Sequence, residues 1–138
     1  MSVLLAGLGS ELAAAVARRL LHEGDQVRMI VRPGLDEAPP GVHVAAGELS
    51  DEDLVERACQ GVRTIVVGDV RAEEATVALA AAVRAGVDRA VLLGAPVTVP
   101  EPMSWVALAL PRRRLLLGPR KGLPVDALAE AVDAADDL

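Results

Sequence analysis

Aromatic side chains are almost missing from this chain, which has no phenylalanine, no tyrosine and one tryptophan, Trp105, although 52% of its residues are hydrophobic. Rings therefore cannot fill the interior, and Val, Leu and Ala must do so. Such small aliphatic side chains suit helices packed on a parallel sheet, whose strands read as continuous apolar runs because both faces are covered. Cysteine is as scarce: Cys59 stands alone, which excludes an internal disulfide. In a helix-like stretch it reads as a buried small hydrophobe suited to a reducing compartment. Positive charge is in deficit, with 14 Lys and Arg against 20 Asp and Glu and a net charge of -6. A general nucleic-acid binder would need a basic face, so no nucleic-acid partner is expected. No apolar stretch reaches membrane-spanning length. The Val3–Leu8 run has no basic region before it and holds Gly7, with Gly9 following, unlike a secretory signal. The expectation is a cytoplasmic protein with no membrane partner, its 138 residues forming one domain over 1–138.

What is present alternates in type along the chain. Ser2–Ala6 is a short buried-strand run, Gly7-Leu8-Gly9 a tight turn, and Glu11–His22 a helical stretch stopped at Gly24. Gln26–Val31 reads as a strand closed by Arg32-Pro33-Gly34, and Val42–Ala45 as another. Ser50-Asp51-Glu52-Asp53 has a capping pattern for a helix ended by Gly61. Val62–Val67 is a strand, Ala72–Arg84 a helix stopped by Gly86, and Ala90–Leu93 a strand. This alternation implies parallel strands joined by right-handed crossovers. The fold class is therefore α/β: a single doubly wound, mainly parallel sheet of five to six strands with helices on both faces. The pattern breaks at Gly94–Ser104, where Pro96, Pro100 and Pro102 leave no room for an ordinary crossover helix. Trp105–Leu110 reads as a strand, Arg112–Leu117 as a basic edge or strand, and Pro124–Asp137 as a closing helix with proline in its first turn.

A turn between the first strand and helix is where a doubly wound fold turns backbone N–H groups and a positive helix end toward a phosphate. Gly7-Leu8-Gly9 occupies that place, although Leu12 stands where a simple G-x-G-x-x-G would have glycine. Ala6-Gly7-Leu8-Gly9-Ser10-Glu11-Leu12-Ala13, followed by Ala17-Arg18-Arg19-Leu20-Leu21, resembles the G-A-T-G-x-x-G...RRLL opening of the atypical short-chain dehydrogenase/reductases, in particular their NmrA-like branch. Three further stretches carry the resemblance: Val27–Arg32, Gly47-Glu48-Leu49-Ser50-Asp51 against G-D-L-x-D, and Gly61–Val67. Ala81–Leu92 is likewise similar to A-A-x-x-A-G-V-x-R-x-V.

By that resemblance Gly7 matches the first family glycine, while Ser10 replaces the second and Ala13 the third, and Gly9 stands at the family threonine. Ala13 is small enough to keep the helix near the strand, and Ser10 offers a hydroxyl to a phosphate. Glu11 brings a negative charge whose repulsion at about 4 Å is on the order of 1 to 4 kcal/mol. Ser10 and Glu11 also read simply as a helix start. The resemblance puts Arg32 at the 2'-phosphate of NADP, with no carboxylate there for a free ribose, so NADP is expected over NAD. Arg28 is a second basic side chain on that strand, and Asp25 precedes the strand. Glu48 and Leu49 are placed near the adenine, and Gly68 and Asp69 along the cofactor groove. The cofactor-binding set is thus Gly7, Leu8, Gly9, Ser10, Glu11, Leu12, Arg32, Glu48, Leu49, Gly68 and Asp69.

The resemblance implies no matching catalysis. Short-chain dehydrogenases move a proton with a tyrosine whose pKa a lysine one helical turn away lowers. Here tyrosine is absent, the only lysine is Lys121, and Gly94-Ala95-Pro96 replaces the family serine. No catalytic residue is assigned. His22 ends a helix and His43 enters a strand without an evident partner, and Asp69 at a strand end reads as groove lining or a helix cap. The spacing of His, Cys, Asp and Glu assembles no metal set. Arg112-Arg113-Arg114 with Arg120-Lys121 gathers basic residues that would contact an anion or partner, or guard a sheet edge. Trp105 reads as a core plug or an interface anchor.

A missing crossover helix exposes part of one sheet face, and an apolar face of that size seeks a cover. Either a homodimer or other protein partner supplies it, or the last helix, with Val125, Leu128, Ala129, Val132 and Ala135 at helical spacing, folds back over the gap. Three functions fit these residues: a cofactor-binding sensor or regulatory module, an enzyme with repurposed chemistry on a small-molecule ligand, and a nucleotide-free scaffold.

Overall fold

A computed structural model describes residues 2–8, 10–32, 38–68, 70–93, 99–101, 103–108 and 123–136. Among them are six strands, β1 (Ser2–Ala6), β2 (Gln26–Val31), β3 (His43–Ala46), β4 (Thr64–Val67), β5 (Arg89–Leu93) and β6 (Ser104–Leu108). The four helices are α1 (Ser10–His22), α2 (Glu52–Ala58), α3 (Ala72–Arg84) and α4 (Leu123–Asp136). The strands form one sheet in the order β3-β2-β1-β4-β5-β6, and every neighbouring pair is parallel. The direction of winding reverses between β1 and β4, so their C-terminal ends open a crevice. None of the described helices is long and apolar enough to cross a membrane.

The period-2 alternation of a strand distributes each apolar run between two cores. Val3 and Leu5 of β1, Val27 and Met29 of β2, Val66 and Val91 face one side with Val16, Ala17 and Leu20 of α1 and Leu128, Ala131 and Val132 of α4. Leu4, Ala6, Ile65, Val67, Ala90 and Leu92 face the other side with Val55 and Ala58 of α2 and Ala75, Ala78, Leu79 and Ala82 of α3. The alanines let α3 lie close to the sheet and to α2. This is how a chain nearly without rings closes its interior.

The helices of the second layer are tied by polar contacts at their ends. Asp51 caps α2, its Oδ1 accepting from the Leu54 N–H at 3.2 Å. Arg28 of β2 donates to the carbonyls of Ala58 and Gln60 at the other end of α2, where cations complement the helix dipole. Arg84 joins α3 to α2 through Glu56 at 2.9 Å and Glu52 at 3.7 Å.

The alternation of elements matches the sequence reading, and their bounds shift slightly. The second helix starts after Asp51, the strand expected at Val62–Val67 begins at Thr64, and that expected at Trp105–Leu110 covers Ser104–Leu108. The basic stretch Arg112–Leu117 lies outside the described residues. The final helix, one of the two covers expected for the gap, takes the other layer. It packs beside α1 and on β4, β5 and β6, in the layer opposite α2 and α3, and does not fold over the place of the missing crossover. There the β5–β6 connection contributes Met103, buried in the α2–α3 core, and Val99 packed against it. The register pairs Trp105 with Ala90, which puts it on the same face, 46% exposed at the sheet edge. Trp105 is therefore no core plug.

Candidate functional site

A cleft of about 370 Å³ lies at the C-terminal ends of the first four strands, at the small end of the range for ligand pockets. Each strand end contributes to it: Gly7 and Leu8 after β1, Arg32 after β2, Gly47, Glu48 and Leu49 after β3, and Val70 and Arg71 after β4. Ala13 of α1 and Glu74 of α3 complete its walls, and Leu5, Met29 and Ile30 form its floor. The parallel sheet brings together residues from the first half of the chain, Leu5 to Glu74, because all strand ends of one polarity share an edge.

Close backbone packing shapes the crevice. Gly7 sits at a φ of +72°, which non-glycine residues rarely adopt. A Cβ there would run into Cγ1 of Val70 and come within 3.3 Å of Leu49 Cδ1. A Cβ on Gly68 would meet the Gly7 carbonyl and lie 3.0 Å from Leu8 Cα. The Gly68 N–H donates to Ala6 O at 2.8 Å and the Gly47 N–H to Val31 O at 2.9 Å, fixing where β4 and β3 leave their neighbours. Leu49 and Val70 thus stand over the first turn as apolar walls, with Arg32, Glu48, Arg71 and Glu74 as the charged groups of the cleft. Arg71, 82% exposed, pairs with Glu74 at 3.4 Å.

Of the expected cofactor-binding residues, Gly7, Leu8, Arg32, Glu48 and Leu49 meet in this cleft. Gly68 lies beneath it, buried against Gly7. Leu12 packs partly buried against the α1–α4 core. Glu11 is exposed in the first turn of α1 and is not among the residues that line the cleft. Gly9 and Asp69 lie outside the described residues, and Ser10 opens α1. Arg28 does not join Arg32; its guanidinium is committed to the end of α2. Asp25 lies before β2, away from the strand's C-terminal end, and burial raises its carboxyl pKa, with Glu23 and Asp133 adding to the rise.

Gly47, Val70, Arg71 and Glu74 were not singled out from the sequence. The signal for them was positional: residues following β3 and β4 at the switch point must border the crevice. His22 and His43 are exposed and not among the cleft residues. No group of three or more metal-ligating side chains occurs among the described residues. Cys59 is fully buried, and burial pushes its thiol up to about 12, Arg28 opposing and Glu56 adding to the shift. It is a packed side chain, not a nucleophile.

This arrangement suits the adenosine end of a dinucleotide. Apolar walls from Leu49 and Val70 fit a flat base, a glycine turn admits phosphate oxygens near backbone N–H groups, and Arg32 supplies a fixed positive charge. Among the described residues the lining comes from β1, β2, β3, β4 and their following segments and helices, none from β5 or β6.

No protein-family model and no curated protein matches the chain. Solved structures do. The protein gox2253 is 28% identical over 68% of this chain and 34% of its own, with a TM-score of 0.60. A short-chain dehydrogenase/reductase from Veillonella parvula DSM 2008 is 17% identical, with a TM-score of 0.59 over 67% of this chain and 46% of its own. WbmH from Bordetella bronchiseptica, solved with NAD+, is 16% identical over 99% of this chain and 72% of its own, with a TM-score of 0.66. The chain spans about a third of the first and about half of the second. With these proteins the chain shares a Rossmann-like α/β fold, built on a parallel sheet in the order β3-β2-β1-β4-β5-β6.

Proposed function

We propose that this chain binds a nicotinamide dinucleotide by its adenosine end, NADP in preference to NAD, and acts as a sensor or regulatory module of the NmrA-like kind. The observation that carries this is the position of Arg32 in the cleft at the β1/β4 switch point, beside Gly7, Leu8 and Leu49. A guanidinium there complements a 2'-phosphate. The NAD+ bound by WbmH, which shares the fold over nearly the whole of this chain, supports a nicotinamide cofactor. When bound, such a cofactor supplies hydride chemistry. The chain's own residues bind and orient its adenosine end, and the absence of tyrosine removes the proton donor on which the family's redox chemistry rests.

Isothermal titration with NADPH, NADP, NADH and NAD tests the reading. Micromolar binding of NADP(H), weakened about tenfold by Arg32→Ala, equivalent to about 1.4 kcal/mol, is the expected result. Heat from none of the four ligands overturns it and favours the nucleotide-free scaffold, or an enzyme of unrelated chemistry.

The partner is proposed to be a second copy of the chain. Trp105 exposes 46% of its surface on the sheet face that carries α2 and α3, and a large ring at such a place is a common interface anchor. Analytical ultracentrifugation should show a dimer that Trp105→Ser dissociates; a monomeric parent protein rejects the proposal. The buried reduced thiol of Cys59 supports a cytoplasmic location, which cell fractionation checks.

A further inference from the structure

Arg71 is the charged cleft residue for which neither the sequence motifs nor the fold supplies a role. It stands at the start of α3, mostly exposed, lines the same cleft as Arg32, and is held by Glu74, which lines it too. We propose that Arg71 is a second phosphate-binding, specificity-determining residue, kept at the cleft mouth by Glu74 and transferred to a phosphate of the bound adenine nucleotide. The proposal rests on the nucleotide-binding reading above and adds a residue and a displacement step to it.

Topology supplies the geometry. Arg32 follows β2 and Arg71 follows β4, and these strands flank β1 on opposite sides. At a strand spacing of about 4.8 Å, the ends of β2 and β4 lie about 10 Å apart across β1, with Arg32 directly after the first and Arg71 at the start of the helix that follows the second. Two guanidinium groups therefore approach one cleft from both sides of the Gly7 turn. A nucleotide lying across that turn offers its phosphates to both, whereas a neutral nucleoside offers nothing to either.

Energetics favour the exchange. The Arg71–Glu74 pair is a spacing-three pair on a helix, 3.4 Å long, with the arginine largely in water, a setting in which ion pairs are weak. A phosphate presents more charge and accepts two parallel N–H bonds from a guanidinium, the stronger arrangement. Glu74 thus orders Arg71 without outbidding the ligand. Removing the carboxylate should tighten phosphate binding, and removing the guanidinium should loosen it. A merely structural surface pair would produce neither change.

The test is titration of wild type, Arg71→Ala, Arg71→Lys and Glu74→Gln with 2',5'-ADP, 5'-ADP and adenosine, with thermal melting as a folding check. Arg71→Ala should weaken 2',5'-ADP about tenfold and leave adenosine unchanged. Arg71→Lys should recover only part of the loss, and Glu74→Gln should tighten binding two- to fivefold. A loss for 2',5'-ADP but not 5'-ADP assigns Arg71 to the 2'-phosphate; a loss for both assigns it to the phosphate on the 5'-oxygen, which the two ligands share. Wild type that binds 2',5'-ADP with Arg71→Ala equal to it overturns this inference and leaves the cofactor reading standing. Wild type that binds none of the nucleotides overturns both.

Discussion

The strand ends of β1–β4 and those of β5 and β6 lie along one edge of one sheet, yet the two regions retain different things. On the β1–β4 side the cleft is made largely by backbone shape: a left-handed Gly7, a Gly68 packed on its carbonyl, and apolar walls from Leu49 and Val70. It keeps its form although Ser10 and Ala13 stand where the resembled family has glycine. The chemistry of the resembled family, by contrast, depends on two particular side chains, a tyrosine and a lysine one helical turn away. Only residues 94–103 connect β5 to β6, and the chain contains no tyrosine. A site built by fold geometry tolerates substitution as long as the close approaches survive; a site built from one phenol and one amine does not.

The sharpest way to break this contrast is to disturb the backbone approach itself. Gly7→Ala must hold a left-handed φ and place a methyl group against Val70, so roughly 2 to 5 kcal/mol of stability should be lost, together with nucleotide binding. Gly24→Ala is the comparison: its φ is also positive, at +93°, but nothing lies within 4 Å of the added carbon. It should lose only about 1 to 2 kcal/mol and keep binding. Equal losses in thermal melts would show that Val70 yields and that the cleft is less constrained than its packing indicates.

A pH series comes next, directed at the closed α2–α3 core. The folded thiol of Cys59 titrates at about 12 against an ordinary 9.0, so the unfolded chain releases its proton first. Its contribution is fully present below pH 9 and is lost between pH 9 and 12, by about 1.4 kcal/mol per unit. Denaturant midpoints should fall through that window and flatten in Cys59→Ala, while thiol reagents should leave the native protein unmodified. Rapid native modification would mean that this face opens. The smallest effect is expected for Arg84→Ala. It cuts the exposed links from α3 to Glu56 and Glu52 and should cost at most about 1 kcal/mol by urea unfolding, with binding in the cleft unchanged.

Apolar runs such as Val3-Leu4-Leu5-Ala6 and Ile65-Val66-Val67 made the parallel sheet legible, because only strands covered on both faces tolerate them. The place of Gly7 in the cleft was legible from the strand-turn-helix order, and those of Arg32 and Leu49 through the family resemblance of the stretches that hold them. Arg28 was not: an arginine three residues before the end of β2 looks available for a ligand until α2 arrives and takes its guanidinium. Arg71 and Glu74 were hidden for the opposite reason. They read as an ordinary helix start, and only the adjacency of β4 to β1 brings them beside Gly7.

Sequence by itself determined the alternating α/β order and the parallel sheet, because hydrophobic periodicity is a local property. Tertiary structure decided which charged side chains share the cleft, that the last helix packs with α1, and that Trp105 meets solvent. Those outcomes depend on strand order and on competition between surfaces for cover, which no single stretch of the chain encodes.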